Sequence, residues 1–308
     1  MISHQQIKYA LSVAKHKNFK KAADNCFVSP STLSNGIVQL EKYLNIQVFE
    51  RDNKKVLITK KGETILEKLR AIKIQYDDLE KISNTLSGLG TNDISLGIIP
   101  TIGPYLLPIV LPHLNKKYPD ISLNIIEGKS DEILEKVREG EIDMAIIALP
   151  YDIKGLLSFK FWSEEFFWVT HNDNLIDNAQ QIGSDGIKKA NLMLLEEGHC
   201  LKEHALAACN IKQQNKYQVK ASNLSTLIEL VAGKMGSTLV PQIALHQLIK
   251  PRKKLRALPL DEPGPHREIA IIIRPAYPNI KNMEILKEEF SISLAKSSGA
   301  NTELTLAV

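Results

Sequence analysis

The residues most able to do chemistry are two cysteines, Cys200 and Cys209, nine positions apart. A peroxide oxidises a thiol to a sulfenic acid, which condenses with a second thiol to a disulfide. If residues 201–209 are helical, the two Cα atoms lie about 13 Å apart at a rise of ~1.5 Å per residue. A disulfide tolerates a Cα separation of only ~7 Å. The pair therefore cannot bond while this segment is helical, which is typical of a redox switch.

The length and composition limit the class of protein. A chain of 308 residues is long enough for two or three domains. Three cysteines argue against a disulfide-built secreted protein. Neither a signal segment within Met1–Ala10 nor an apolar run of the ~18 residues that a membrane span needs is visible. We expect a cytoplasmic protein that makes no membrane contact.

The charge is unevenly distributed along the chain. Residues 1–61 hold eleven Lys/Arg against four Asp/Glu, a net charge of +7, which leaves −3 for residues 62–308 out of the total of +4. A basic N-terminal part on a mildly acidic body is the pattern of a protein that binds nucleic acid through that part alone.

Residues 1–60 are predicted to form a winged helix-turn-helix. Ser29 has the character of an N-cap and is followed by Pro30, a residue favoured at the first helical position. Leu33, Ile37 and Leu40 then form one buried stripe. The opposite face carries hydroxyls and amides suited to DNA, namely Ser31, Thr32, Ser34, Asn35 and Gln39. A hairpin within 48–59 forms the wing and places Arg51, Lys54 and Lys55 at its tip.

Residues 61–90 are predicted to form a linker helix with a hinge at 88–90. Its apolar residues Ile65, Leu69, Ile72, Tyr76 and Leu79 follow steps of four and three, the heptad pattern of a coiled coil. A dimer made by this helix presents two heads, so the DNA target should be double-stranded with two half-sites.

Residues 91–308 alternate buried strands with helices, which indicates a parallel α/β sheet. Two chain crossings suggest two lobes, lobe I at about 91–160 and 267–296 and lobe II at about 161–266. Ligands bind at the carboxyl ends of such strands. Thr101, Ser130 and the loop 198–200 fall at predicted strand ends.

The chain resembles the LysR-type bacterial transcriptional regulators. The resemblance rests on five segments, which are 19–23, 29–34, 39–41, 49–51 and 57–62. It implies an N-terminal winged helix-turn-helix, a long coiled-coil linker helix and a two-lobed regulatory domain like the periplasmic binding proteins. It also places Ser29 along the DNA groove and Arg51 and Lys60 on phosphates. The family further implies a homodimer or homotetramer that contacts RNA polymerase.

Segments 97–108 and 194–201, followed by Cys209, look like the OxyR group of hydrogen-peroxide sensors within that family. By this resemblance Cys200 is the peroxide-reactive thiol and Cys209 the resolving thiol. The peroxide pocket would consist of Thr101, Ser130, His199 and Arg267. The protein would need no cofactor or metal, would not be an enzyme, and would control oxidative-stress genes, with thiol reductants reversing the disulfide.

Two further expectations concern individual side chains. A thiol reacts as the thiolate, so His199 and Arg267 are expected to lower the pKa of Cys200. Gly36 and Val38 occupy positions of the predicted recognition helix where OxyR proteins tend to carry longer polar or basic side chains. We therefore expect a different operator sequence.

Three alternatives remain open from the sequence. The chain could be a LysR-type regulator that binds a small organic effector between the lobes and has inert cysteines. It could be a thiol peroxidase, although a basic winged head has no use in that enzyme. A set of four side chains could instead ligate zinc, namely His199, Cys200, His204 and Cys209, but their spacing lacks the usual clamp.

Overall fold

The computed structural model describes residues 1–52, 55–86, 92–174, 180–196, 198, 200–208 and 221–305. The chain divides into two compact units, 1–90 and 91–308. Within the described residues, no helix combines the length and the apolar character that crossing a membrane requires. The predicted hinge at 88–90 lies outside the described residues.

The first unit begins with three helices and a hairpin. The helices are α1 (His4–His16), α2 (Phe19–Asn25) and α3 (Pro30–Leu44), and the antiparallel hairpin joins β1 (Phe49–Asp52) to β2 (Lys55–Ile58). Ser29 caps α3 as predicted, because its hydroxyl accepts a hydrogen bond from the Thr32 amide at 3.1 Å. Asn18 caps α2 in the same way through the Lys21 amide at 3.0 Å. The predicted helix-turn-helix with a wing is therefore confirmed.

The core of this unit is built from the predicted stripe of α3 together with α1 and α2. Leu33, Ile37 and Leu40 are fully buried in it, and Cys26 is also buried there. Gly36, which we expected among the positions that read DNA, is buried instead. A Cβ at this position would lie only 2.7 Å from Cδ2 of Tyr9, so the glycine lets α3 pack closely on α1.

The linker helix α4 spans Lys60–Leu86. Its first turns belong to the core of the first unit, because Leu66 and Leu69 are buried there. Further along, Ile72, Tyr76 and Leu79 are 49%, 46% and 63% exposed. This second half carries the apolar heptad stripe that the sequence predicted, and it offers a second helix a surface to pack on.

The first lobe of the second unit is a five-stranded sheet flanked by helices. In chain order its elements are β3 (Asn92–Ile98), α5 (Gly103–Lys117), β4 (Ile121–Glu127), α6 (Ser130–Arg138), β5 (Met144–Leu149), β6 (Leu157–Glu164), β10 (Arg267–Ile273) and α11 (Ile280–Thr305). The strand order is β4-β3-β5-β10-β6. Strand β3 runs parallel to β4 and β5, but β10 is antiparallel to both of its neighbours. The predicted parallel arrangement is confirmed for β3, β4 and β5 and was wrong for β10.

The second lobe contains a three-stranded antiparallel sheet in the order β8-β7-β9. Its elements are β7 (Phe166–His171), a short 3-10 helix (Asn172–Asn174), α7 (Ser184–Lys189), α8 (Cys200–Ala208), α9 (Leu224–Ala232), β8 (Thr238–Pro241), α10 (Gln242–Leu248) and β9 (Leu255–Pro259). Segment 192–195 forms two isolated bridges, from Leu192 to Ser237 and from Leu195 to Ala221.

The chain crosses between the lobes twice, once from β6 into β7 and once from β9 into β10. The two crossings are neighbours, because Arg267, the first residue of β10, pairs with Glu164, the last residue of β6. Each lobe has its own apolar core. Two residues pack in the core of the opposite lobe: Tyr105 of α5 in the second core and Cys200 of α8 in the first.

The exposed half of α4 leads to a test of self-association. We expect Leu79→Lys to weaken dimer formation at least tenfold, about 1.4 kcal/mol, because a charge would enter a packed apolar seam. Sedimentation velocity across a dilution series measures the change. Gln75→Lys introduces the same charge at another exposed position of α4 and should leave the dimer intact. Equal behaviour of the two variants would show that this stripe does not mediate association.

Candidate functional site

The thiol of Cys200 is the centre of the candidate site. Cys200 is the first residue of α8, is unpaired with another cysteine, and is only 2% exposed. Its side chain packs in the core of the first lobe, whereas Leu201 and Ala205 of the same helix pack in the core of the second. Helix α8 therefore holds the two cores together through its first two turns.

The approach to α8 depends on Gly198. This residue has φ +92°, a conformation that side chains disfavour. A Cβ at this position would also lie 2.9 Å from Cδ of Lys129, the residue that precedes α6. Lys129 in turn contacts Glu196, with 3.4 Å between Nζ and Oε1. Position 198 therefore requires a glycine, because any side chain there would be strained and would crowd Lys129 just before Cys200.

The surroundings of the thiol favour its protonated form. Burial raises the pKa of Cys200. The positive charge of Arg267, hydrogen bonding by the Ser130 hydroxyl and the backbone at Ala148 each lower the pKa by less, while the Glu203 carboxylate raises it slightly. Arg267 lowers this pKa as predicted, but the predicted net lowering was wrong, because desolvation exceeds the effect of the nearby cation.

Arg267 is not an isolated positive charge. Its Nε donates to Oε1 of Glu164 at 2.7 Å, and both side chains are completely shielded from solvent. Its terminal nitrogens lie near Thr101, at 3.4 Å from the hydroxyl and 3.3 Å from the carbonyl oxygen. The other oxygen of Glu164 accepts from the amide of Ile243 at 2.8 Å. Glu164 therefore neutralises much of the positive charge of Arg267, which the sequence analysis expected to act on the Cys200 thiol.

The structure brings together Thr101, Ser130 and Arg267, three of the four residues predicted for the pocket, around Cys200. Thr101 follows β3 and Ser130 begins α6, as expected for residues at the carboxyl ends of strands. Ser130 is 1% exposed. Its hydroxyl lies near enough to lower the pKa of Cys200, yet it makes no hydrogen bond of normal geometry with the described residues. The predicted pocket residue His199 and the resolving Cys209 lie outside the described residues.

His204 was considered from the sequence only as a zinc ligand, but it belongs to this site. It lies one helical turn after Cys200, is 4% exposed, and its Nε2 is 2.8 Å from the carbonyl oxygen of Pro150. Its other ring nitrogen, Nδ1, is buried without a hydrogen-bond partner among the described residues. Burial lowers the pKa of His204; the Pro150 carbonyl opposes this effect and the Arg267 charge adds to it.

Tyr151 and Glu164 were also missed by sequence reasoning. The hydroxyl of Tyr151 donates to Oδ1 of Asp131 at 2.8 Å. Burial and this carboxylate raise the pKa of Tyr151, and the thiol of Cys200 contributes to the shift. The one available signal was the position of Glu164, a charged residue directly before the first chain crossing. No cluster of three or more metal-binding side chains occurs among the described residues.

The predicted DNA-binding side chains on or next to α3 are mostly exposed. Ser29, Ser31, Thr32, Asn35 and Gln39 are exposed on or next to α3, and Ser34 is half-buried. The Ser29 hydroxyl lies 2.8 Å from those of Ser31 and Thr32. Val38 is also exposed on this helix, so its departure from the OxyR pattern bears on the DNA surface. Lys60 is exposed at the start of α4, Arg51 lies in β1, and Lys54 lies outside the described residues.

Comparison with family models decides the family. Residues 4–63 match the bacterial regulatory helix-turn-helix protein model of the lysR family, and residues 87–290 match the LysR substrate binding domain. The chain belongs to the LysR family. It is therefore a helix-turn-helix regulator of transcription with a two-lobed domain of the periplasmic-binding type, as the sequence predicted. Regulators of this family are generally non-enzymatic and oligomeric.

This LysR regulator is similar both to EstR and to OxyR proteins. It is 37% identical to the HTH-type transcriptional regulator EstR of Acinetobacter baylyi over 295 residues, 95% of each chain. It is similar to a full-length OxyR mutant of Pseudomonas aeruginosa, with 29% identity, a TM-score of 0.74 and coverage of 94% and 95%. It is also similar to a hydrogen-peroxide-bound OxyR mutant of Corynebacterium glutamicum, with 27% identity, a TM-score of 0.66 and coverage of 100% and 99%.

The buried ion pair gives a test of stability. We expect Arg267→Met to lower the free energy of unfolding by about 3–5 kcal/mol, because it leaves the Glu164 carboxylate unpaired in the interior. Adding Glu164→Gln should restore much of the loss, since the amide keeps an acceptor for Ile243 without the charge. Urea denaturation measures both effects.

The control for this test is Lys188→Met, which breaks the exposed pair with Asp185 and should cost less than about 1 kcal/mol. A loss for Arg267→Met no larger than that of the control would contradict the assigned role of the buried pair.

Proposed function

We propose that this LysR regulator senses hydrogen peroxide through Cys200 and responds by forming a reversible disulfide with Cys209. The observation that carries the proposal is the free, buried thiol at the start of α8, adjoined by Ser130 and Arg267, with Thr101 bonded to that arginine. The similarity to OxyR proteins, one of them solved with hydrogen peroxide bound, supports the same chemistry.

The proposed oxidation proceeds in two balanced steps. The sulfur of Cys200, having lost its proton, attacks one oxygen of hydrogen peroxide. A sulfur–oxygen bond forms, the oxygen–oxygen bond breaks, and the second oxygen leaves as water after protonation. The thiol of Cys209 then attacks the sulfenic sulfur of Cys200, and the sulfenic oxygen leaves as a second water. Two equivalents of a cellular thiol reduce the disulfide and reset the sensor.

Formation of the Cys200–Cys209 disulfide would change the conformation of helix α8. The helix runs from Cys200 to Ala208. A continuation of the helix by one residue would leave the two Cα atoms about 13 Å apart, against the ~7 Å that a disulfide allows. Bond formation thus requires α8 to unwind. Because this helix contributes to the cores of both lobes, its unwinding alters how the lobes pack and offers a bistable element for regulation.

The proposed output is binding to double-stranded DNA with two half-sites. Side chains of α3 and its cap would lie along the major groove, namely Ser29, Ser31, Thr32, Ser34, Asn35 and Gln39. Arg51, Lys54 and Lys60 would contact phosphates of the backbone. A homodimer or homotetramer would present the paired heads and contact RNA polymerase, and the target genes would serve defence against oxidants.

A second candidate function is regulation by a small organic effector bound between the lobes, with inert cysteines. The comparisons leave this alternative open, because the 37% identity with EstR exceeds the 29% and 27% of the two OxyR structures. The raised pKa of Cys200 also favours an unreactive thiol. The two candidates differ in whether the response survives removal of the sulfur of Cys200.

Peroxide treatment tests the sensor directly. We expect mild, near-stoichiometric hydrogen peroxide to produce a peptide pair linked by Cys200 and Cys209, visible by mass spectrometry, and to change transcription from the regulated promoter. Cys200→Ser should lose both responses because no sulfenic acid can form at this position.

The control for the peroxide test is Cys26→Ser, which removes a buried cysteine of the head and should leave both responses in place. Continued peroxide switching in Cys200→Ser would refute the sensor. Switching by a metabolite that is insensitive to Cys200→Ser would establish the effector function instead.

Salt dependence tests the assigned DNA surface. We expect the affinity for the operator to fall steeply with salt, because phosphate contacts release counterions. Lys60→Ala should reduce the slope of log K against log salt by about 1. Asn35→Ala should mainly weaken discrimination between operator and random DNA. Lys281→Ala, an exposed lysine of α11, serves as the control and should change neither quantity. An unchanged slope for Lys60→Ala would exclude a phosphate contact.

A further inference from the structure

We propose that His204 accepts the proton of the Cys200 thiol through its Nδ1 atom and delivers it to the departing oxygen of the peroxide. This inference rests on the proposed function and assigns a proton path to the same site. It answers a difficulty that the structure poses: the thiol is buried, and the nearby Arg267 is already paired with Glu164. A buried thiol needs a base to ionise.

The fold places the imidazole on the same face of α8 as the thiol, one helical turn further along the chain. Residues four apart on a helix lie on one face, with Cβ atoms ~5–6 Å apart. Helical side chains lean toward the N-terminus, so His204 leans toward Cys200. Both are also fixed at the end of β5, because Cys200 interacts with the backbone of Ala148 and His204 with the carbonyl of Pro150.

The hydrogen bond to Pro150 determines which ring nitrogen is free. A carbonyl oxygen only accepts, so Nε2 of His204 must carry the proton that it shares at 2.8 Å. In the neutral ring Nδ1 then holds a lone pair. Leaving such a buried acceptor unpaired is unfavourable, and no described residue pairs with it.

The Ser130 hydroxyl beside the same thiol also lacks a hydrogen bond of normal geometry among the described residues. Two buried polar atoms with open hydrogen-bonding capacity, on either side of one thiol, point to a small polar ligand. Hydrogen peroxide, with two hydroxyl groups, matches this pair of a donor and an acceptor.

The surroundings of His204 keep its ring neutral, so Nδ1 retains the lone pair that can accept a proton. Burial lowers its pKa, the Pro150 carbonyl opposes this, and the positive Arg267 adds to the lowering. The ionisable groups that face the ring and the thiol come from four elements: Cys200 and Glu203 on α8, Tyr151 with its partner Asp131 of α6, Arg267 of β10 and Glu164 of β6. The disfavoured imidazolium is formed only transiently, which suits a group that must release the proton again.

The proton path balances. The proton of Cys200 moves to Nδ1 of His204 as the sulfur attacks one oxygen of hydrogen peroxide. The sulfur–oxygen bond forms and the oxygen–oxygen bond breaks, so the sulfur is oxidised and the peroxide reduced. The proton on Nδ1 passes to the departing oxygen, which leaves as water together with the hydrogen it already carries. His204 returns to its neutral form, with the hydrogen bond to Pro150 unchanged throughout.

His204→Gln separates the proton path from a structural role. Glutamine keeps an N–H near the position of Nε2 for the carbonyl of Pro150, but its amide is not a base. We expect sulfenic-acid formation at Cys200, followed with a dimedone-type probe and peptide mass spectrometry, to slow roughly a hundredfold. In the wild type the rate should also fall as the pH drops below the lowered pKa of His204. This limb of the pH profile should be missing in the variant.

His246→Gln makes the same substitution at an exposed histidine of α10 and should react like the wild type. His204→Asn serves as the second variant if urea denaturation shows that His204→Gln is destabilised, and it should be equally slow. A folded His204→Gln that keeps the wild-type rate and pH profile overturns the inference.

Alkylation of Cys200 by iodoacetamide separates failure of this inference from failure of the sensor. If the wild-type thiol is not oxidised by peroxide, the proposed function fails. The pH dependence of alkylation then still tests His204, because loss of the base should move the profile of Cys200 to higher pH. An identical alkylation profile in both proteins would remove His204 from the proton path.

Discussion

The buried ion pair between Glu164 and Arg267 is the interaction on which the rest of the second unit depends. It joins the last residue of β6 to the first residue of β10, the two points where the chain passes between lobes. From this junction Glu164 reaches the amide of Ile243 in the second lobe and Arg267 reaches Thr101 in the first. A single charge pair thus connects the hinge of the domain to the surroundings of Cys200.

This connection explains why the thiol of Cys200 favours its protonated form. Arg267 lies close enough to stabilise a thiolate, but its charge is shared with Glu164, and burial outweighs it. In the proposed sensor, this protonated and enclosed sulfur would not react with every weak oxidant. Oxidation would then depend on a small molecule that can enter, bridge the open polar atoms and give the proton a path.

The sequence predicted local features well because each depends on neighbouring residues. Ser29 before Pro30 determines the start of α3, and the helix predicted after Cys200 is present as α8, as its own composition indicated. Strand direction was not predictable, since an apolar run such as 269–273 has the same composition in either orientation. Nor was the pairing of Glu164 with Arg267, which are 103 positions apart and are brought together only by the fold. The role of Gly36 likewise depended on Tyr9, a partner on another helix.

The place of Cys200 in the first-lobe core has an energetic consequence for the oxidised protein. Withdrawing this side chain toward a partner elsewhere leaves a hole lined by apolar atoms. An unfilled hole costs ~24 cal/mol per Å³, about 1 kcal/mol for a side chain of this size. The first lobe would therefore soften on oxidation unless neighbouring side chains collapse into the space. Reduction is favoured to the same extent, because it returns the sulfur to a site already shaped for it.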